Sequence, residues 1–145
     1  MTNKYKIDFC IANGENSAEP NGITHDIAGS LFRSGADVIT MGNHTYDNRE
    51  SGAVLEENEN VIRPINFPSH LEGSGYTIYD TGSVKIAVVN LSGRVGMQPI
   101  DCPFKAMESL LPKLDADIIA VDFHAEATSE KIAMAYFLDG KVSCV

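Results

Sequence analysis

Four continuous apolar runs constrain the fold of this chain more than any other feature. The runs are six to eight residues long, and their apolar residues follow one another instead of alternating with polar ones. A strand with this pattern is covered on both faces, as in a sheet that is flanked by helices. We therefore predict buried strands at residues 7–12, 36–41, 85–91 and 116–123.

Helical patterns occupy the segments between these runs. Gly35 is placed to end the first helix, and Pro112 is placed to end the third one early. Thr128 or Ser129 is the expected N-cap of the last helix. The predicted helices are residues 24–33, a weaker acid-rich segment at 50–58, residues 103–114 and residues 129–138.

The remaining segments complete an α/β order. Residues 63–75 contain two prolines and two glycines and are predicted to form an irregular loop. Residues 76–80 and 84–91 are predicted to form a hairpin, and residues 141–145 resemble the opening of another strand. This order predicts a single α/β domain over residues 1–145, a sandwich of mixed β-sheets flanked by helices.

Composition excludes several classes of partner. Eleven basic and twenty acidic residues give a net charge of −9, which argues against a nucleic-acid groove and against anionic membrane surfaces. A phosphate substrate would need local neutralisation, for which a bound cation is the natural agent. Cys10, Cys102 and Cys144 have neither metal-site nor redox spacing, and no apolar segment is long enough to span a membrane. We expect a cytoplasmic protein.

Polar side chains follow three of the predicted strands. Glu15 comes after the first strand, Asn43 after the second and His124 after the last. Because parallel strands that end at one sheet edge bring such residues together, the three could form a site for Mn²⁺, Fe²⁺ or Zn²⁺. Other interpretations stay open: Glu15 as a solvated loop acid, His124 as a core histidine, and Asp47 as a helix cap.

Five motifs, in this order and spacing, resemble the YmdB-like branch of the calcineurin-like metallophosphoesterases. The resemblance runs through nearly the whole chain, and five motifs in register are far more specific than any one of them. The motifs are Asn-Gly-Glu-Asn at 13–16, Ser-Gly-Ala-Asp at 34–37, Thr-Met-Gly-Asn-His-Thr at 40–45, Arg-Pro-Ile-Asn-Phe-Pro at 63–68 and Asp-Phe-His-Ala-Glu-Ala-Thr-Ser-Glu-Lys at 122–131.

The resemblance implies a phosphodiesterase with two divalent metal ions, iron or manganese, acting on cyclic nucleotides such as 2′,3′-cyclic AMP. It implies that Glu15 bridges both metals, that Asn16 binds the first, and that Asn43 and His124 bind the second. A hydroxide between the metals would attack phosphorus, and His44 would be the proton donor. Oligomeric state stays open, with a homo-oligomer among the options.

Two parts of the family pattern have no counterpart here. The family begins with a strand that ends in Gly-Asp, whose aspartate binds the first metal, and it continues beyond the last strand with a His-x-His pair. Nothing before Ile7 supplies the Gly-Asp pair, and the chain stops at Val145, short of the His-x-His pair. We therefore expect a calcineurin-like core that is incomplete at both ends, with ligands biased toward the second metal.

Three interpretations follow from these residues. The first is a cyclic-nucleotide phosphodiesterase of which this chain carries the central part of the site. The second is a non-catalytic metal- or nucleotide-binding module or an inactive fragment, and the third is a structural domain with coincidental motifs. Arg94, three residues after the third apolar run, is either a phosphate contact or a surface arginine.

Overall fold

A computed structural model describes residues 5–145 and has two three-stranded sheets with helices on their outer faces. An α/β sandwich flanked by helices was the predicted architecture, and this prediction is confirmed. The strands are β1 (Ile11–Asn13), β2 (Val38–Thr40), β3 (Val61–Ile62), β4 (Tyr76–Asp80), β5 (Lys85–Ser92) and β6 (Ile118–His124). The helices are α1 (His25–Arg33), α2 (Ser51–Glu57), α3 (Pro103–Leu110) and α4 (Thr128–Leu138).

The two sheets differ in strand direction. The first has the order β1-β2-β3 and is parallel throughout. In the second, β5 pairs antiparallel with β4, as the predicted hairpin requires, and parallel with β6. Cys144 forms a parallel bridge with Ala120 of β6, so the start of the expected final strand lies beside β6.

A layer of apolar side chains lies between the sheets. Val38 and Ile62 from the first sheet pack in one cluster with Ile86 and Val88 from the second. The neighbours of these residues along each strand point to the opposite faces and contact the helices. Ile39 and Val61 share a cluster with α1 and α2, and Val89, Leu91 and Val121 share one with α3 and α4. Both sheets are therefore covered on both faces, which explains the continuous apolar runs.

The prediction for residues 7–12 is wrong in extent. The strand β1 has only three residues, and Ile7 and Ile11 are 43% and 37% exposed. Among the described residues, β1 pairs only with β2. Before Ile11, the main-chain N–H of Cys10 donates to the Asp37 carboxylate at 2.8 Å, whereas the carbonyl of Cys10 accepts the main-chain N–H of Asp37.

Local signals at the helix ends account for most of the boundaries. Thr24 caps α1 by accepting the N–H of Ile27, and Gly35 (φ +102°) ends it as predicted. Pro112 lies in the short 3₁₀ turn Leu111–Lys113 that replaces further α-helix. The predicted cap of α4 is wrong: Ala127 is the N-cap, and Thr128 is already the first helical residue.

The irregular segment 63–75 is organised around a buried arginine. The Arg63 guanidinium donates to the carbonyl oxygens of Pro64, Leu71 and Glu72 at 3.0–3.1 Å. Main-chain bonds from this segment reach β5, since the N–H of Ile65 donates to Asn90 O at 2.9 Å. The loop therefore joins the two sheets. Within residues 5–145, no helix has the length and apolarity needed to cross a membrane.

The contact between α1 and α2 includes a titratable bridge. His25 Nδ1 lies 3.3 Å from the Glu50 carboxylate, and Nε2 lies 3.0 Å from Glu57. Hydrogen bonds to Glu50 and then to Glu57 raise the pKa of His25 above its ordinary value. The bridge is therefore strongest when the imidazole is protonated.

We expect the bridge at His25 to stabilise the fold at acidic pH. Because its folded-state pKa is raised, the contribution is fully present below the unfolded pKa of about 6.5 and is lost as pH rises through the folded value. Urea unfolding of the wild type and of His25→Gln at roughly pH 5.5 and 8.5 measures this. The difference in the free energy of unfolding between the two proteins should be larger at the lower pH and should shrink in about 1 M salt. An equal difference in the free energy of unfolding at both pH values would contradict a stabilising role of the protonated His25 bridge.

Candidate metal centre

A buried carboxylate lies at the centre of the site. Glu15 lies two residues after the end of β1 and is 0% exposed. Its Oε1 accepts the main-chain N–H of His44 at 2.8 Å. This approach requires glycine at position 42, because a Cβ there would lie 2.5 Å from the carboxyl carbon of Glu15. The Gly42-Asn43-His44 turn is therefore shaped around the Glu15 side chain.

Three predicted ligand atoms converge beside this carboxylate. His124, the last residue of β6, places Nε2 at 2.7 Å from Asn43 Oδ1. The same nitrogen lies 3.1 Å from Glu15 Oε2. The strand ends therefore bring Glu15, Asn43 and His124 together as their positions after the strands predict, although the first sheet carries two of them and the second carries the third.

The donor set fits a divalent cation. Glu15 Oε2 is buried and accepts no hydrogen bond, although His124 Nε2 lies 3.1 Å away. A buried carboxylate oxygen without a partner is costly unless a cation or a donor completes it. Carboxylate, amide and imidazole donors suit Mn²⁺, Fe²⁺ or Zn²⁺. Within residues 5–145, no three His, Cys, Asp or Glu side chains group as a metal site, so this centre depends on the amide of Asn43.

His44 faces a carboxylate of its own. Its Nδ1 lies 2.6 Å from Asp47 Oδ2, and the Asn21 amide donates to the same oxygen at 3.3 Å. The helix-cap interpretation of Asp47 is wrong, since Glu50 is the N-cap residue of α2. The pairing with Asp47 leaves His44 Nε2 as the ring nitrogen that remains for chemistry.

The other two candidates lie at the edge of the site. Asn16 is exposed, and among the described residues its side chain makes no hydrogen bond to Glu15, Asn43 or His124. Arg94 is exposed and follows Gly93, whose N–H donates to the carbonyl of His124 at 2.8 Å. Arg94 is therefore the next residue after one that is hydrogen-bonded to His124, whereas Asn16 is the next residue after Glu15.

Sequence reasoning missed two residues near the site. Glu130 in α4 is 8% exposed and accepts main-chain hydrogen bonds from Arg94 and Val95. Gln98 donates its amide to the main-chain oxygen of Asn43 at 3.2 Å. An available signal for Glu130 was its place in the 122–131 motif, in the first turn of a helix. Nothing in the sequence singled out Gln98.

Tyr46 belongs to the scaffold of the site. Its hydroxyl donates to the carbonyl of Glu72 at 2.6 Å and its ring packs at 6.3 Å from that of Phe67. Burial raises the pKa of Tyr46 to about 12, so the phenol stays protonated at neutral pH. This contact fixes the turn after His44 against the 63–75 loop.

The two sheets, their outer helices and the polar cluster at the strand ends define a calcineurin-like phosphoesterase fold. A family model described as "YmdB-like protein" matches residues 1–145. The chain therefore belongs to the YmdB-like family, as its motifs predict.

Individual relatives agree with this family. The chain is 44% identical over 147 residues to the 2′,3′-cyclic-nucleotide 2′-phosphodiesterase of Bacillus subtilis (strain 168), covering 100% of this chain and 56% of the relative. The crystal structure of a hypothetical protein from Thermus thermophilus matches with a TM-score of 0.91 and 41% identity, over 97% of this chain and 55% of the other. A novel phosphatase from Mycoplasma pneumoniae matches with a TM-score of 0.89 and 35% identity, over 97% and 52%. The chain thus spans about half the length of these relatives.

We expect Gly42→Ala to disturb the site far more than a glycine change elsewhere. The new Cβ would collide with the Glu15 carboxylate, so we expect a loss of about 1–3 kcal/mol in the free energy of unfolding. The matched control is Gly52→Ala in α2, where a Cβ would meet Glu72 at an ordinary 3.6 Å. Urea unfolding compares the three proteins. Equal stability of Gly42→Ala and the wild type would contradict the close approach.

Proposed function

We propose that this chain forms part of a metal-dependent phosphodiesterase that hydrolyses cyclic nucleotides such as 2′,3′-cyclic AMP. The observation that carries the proposal is the convergence of Glu15 Oε2, Asn43 Oδ1 and His124 Nε2, where the buried Glu15 oxygen accepts no hydrogen bond. The names of the B. subtilis and M. pneumoniae relatives support the reaction class. Three free cysteines among the described residues accord with a cytoplasmic location.

We assign the ligands of one metal ion from the same geometry: Asn43, His124 and Glu15 would hold it. The family motifs support another ion, which Glu15 would also reach and which Asn16 would bind. Such a centre, with iron or manganese bound, would supply an activated water and would offset charge on the phosphoryl oxygens. A small-molecule phosphodiester is the substrate class that such a centre takes.

The protein side chains perform the remaining steps. The reaction adds water across one P–O bond of the cyclic phosphodiester: oxygen joins phosphorus, and the ribose oxygen leaves and needs a proton. His44 supplies that proton from Nε2, because Nδ1 is held by Asp47. Asp47 thereby fixes the orientation of the His44 ring. The exposed Arg94 guanidinium would contact a phosphoryl oxygen.

We expect His44→Ala to separate catalysis from metal binding. Loss of a general acid should lower kcat for 2′,3′-cyclic AMP by about 10²-fold or more in the natural protein that carries these residues. Metal content, measured by elemental mass spectrometry, should stay that of the wild type. His70→Ala changes an exposed loop histidine and is the control that should retain activity.

The same experiment tests the alternative. A binding module without turnover would give a wild-type protein that binds metal or nucleotide but hydrolyses nothing. Full activity in His44→Ala would overturn its role as the proton donor and leave the rest of the proposal standing.

We expect Mn²⁺ to stabilise the protein by binding to Glu15, Asn43 and His124. A ligand at 100 times its Kd raises the free energy of unfolding by about 2.7 kcal/mol, so Tm should rise on addition of Mn²⁺. The rise should disappear in Glu15→Gln and in His124→Ala. Glu126→Gln, which changes an exposed acid of the same motif, should keep it. An equal rise in Glu15→Gln would exclude this carboxylate as a ligand.

A further inference from the structure

A short loop after β5 lies beside Asn43 and His124 and is hydrogen-bonded to them at both of its ends. We call residues 93–98 the strap. At its start, the N–H of Gly93 donates to the carbonyl of His124 at 2.8 Å. At its end, the Gln98 amide donates to the main-chain oxygen of Asn43 at 3.2 Å. The strap therefore connects the two residues assigned as ligands of one metal ion.

A buried carboxylate holds the middle of the strap. Glu130 is 8% exposed and accepts the N–H of Arg94 at 3.1 Å with both of its oxygens. Its Oε2 also accepts the N–H of Val95 at 3.2 Å. Two successive main-chain donors thus point at one carboxylate, which binds them more strongly than a neutral acceptor would.

The surroundings of Glu130 are built for this contact. A Cβ at Gly93 would lie 2.5 Å from Glu130 Oε2 and 2.7 Å from Ala125 Cβ, so only glycine allows the strap to come so close. Glu130 lies in the first turn of α4, where the helix dipole favours a negative charge. The carboxylate therefore remains a good acceptor although it is buried.

The strap carries a cation with no partner of its own. Arg94 is exposed, and its guanidinium makes no hydrogen bond or ion pair with any of residues 5–145. In a chain of net charge −9, an unpaired arginine beside a carboxylate-containing centre is suited to a phosphoryl oxygen. Its position depends on the main-chain bonds that Glu130 accepts.

We propose that Glu130 is a positioning residue, whose carboxylate fixes the main chain of Arg94 beside His124 so that the Arg94 guanidinium binds the phosphoryl group of the substrate. This inference rests on the proposed function and deepens it, because it names the residues that recognise the phosphate. Glu130 itself touches neither substrate nor metal. Its effect on substrate binding runs through Arg94, which distinguishes it from a residue that only stabilises the fold.

A double-mutant cycle in the natural protein tests this coupling. Glu130→Gln keeps the shape of the side chain but turns an acceptor oxygen into a donor facing Arg94 and Val95. We expect Glu130→Gln and Arg94→Ala each to raise KM for 2′,3′-cyclic AMP about tenfold or more, with a smaller change in kcat and unchanged metal content. The double variant should match Arg94→Ala, because Glu130 has no further effect once the guanidinium is gone. Lys131→Gln, an exposed neighbour in α4, is the control that should keep the wild-type KM.

Any other result of the double-mutant cycle would refute a specific part of the proposal. Additive effects in the double variant, or an unchanged KM in Arg94→Ala, would refute the coupling while leaving the phosphodiesterase assignment intact. An inactive wild type would refute the proposed function instead. If Glu130→Gln does not fold, Gly93→Ala takes its place in the cycle, since its Cβ displaces the same carboxylate.

Discussion

The buried carboxylate of Glu15 is the constraint around which the site is arranged. A charged group at 0% exposure is costly unless its oxygens are partnered. One oxygen is satisfied by the N–H of His44, which requires the glycine at position 42. The other faces His124 Nε2 at 3.1 Å and accepts no hydrogen bond. Carboxylate, turn and imidazole therefore hold each other in place, and a divalent cation would complete the arrangement.

Packing between the sheets sets the geometry of this cluster. Glu15 and Asn43 follow strands of the first sheet, whereas His124 ends a strand of the second. The distance between them depends on the apolar layer that includes Val38 and Val88. A change in this layer would shift Glu15 and Asn43 against His124, since close-packed interiors transmit such strain. The strands that form the apolar layer therefore also position the polar side chains at their ends.

Much of the fold could be predicted because its signals are local. Continuous apolar runs indicated strands with both faces covered, and Gly35 and Pro112 marked helix ends by their own backbone limits. The positions of Glu15, Asn43 and His124 after their strands predicted that they meet, although packing of the two sheets sets their distances. The length of the strand predicted at residues 7–12 is wrong because its apolar residues resemble those of a central strand, whereas β1 has one neighbouring strand among the described residues.

The sequence by itself determined the family, the layered α/β architecture and the three side chains that meet at the strand ends. Tertiary structure alone decided what Asp47 and Glu130 do. Asp47 pairs with His44 instead of capping a helix, and Glu130 binds a loop 35 or 36 residues away. A carboxylate looks the same in sequence whether it caps a helix, faces solvent or accepts distant N–H groups. Its role depends on which donors the packed chain brings to it, and burial then makes that pairing obligatory.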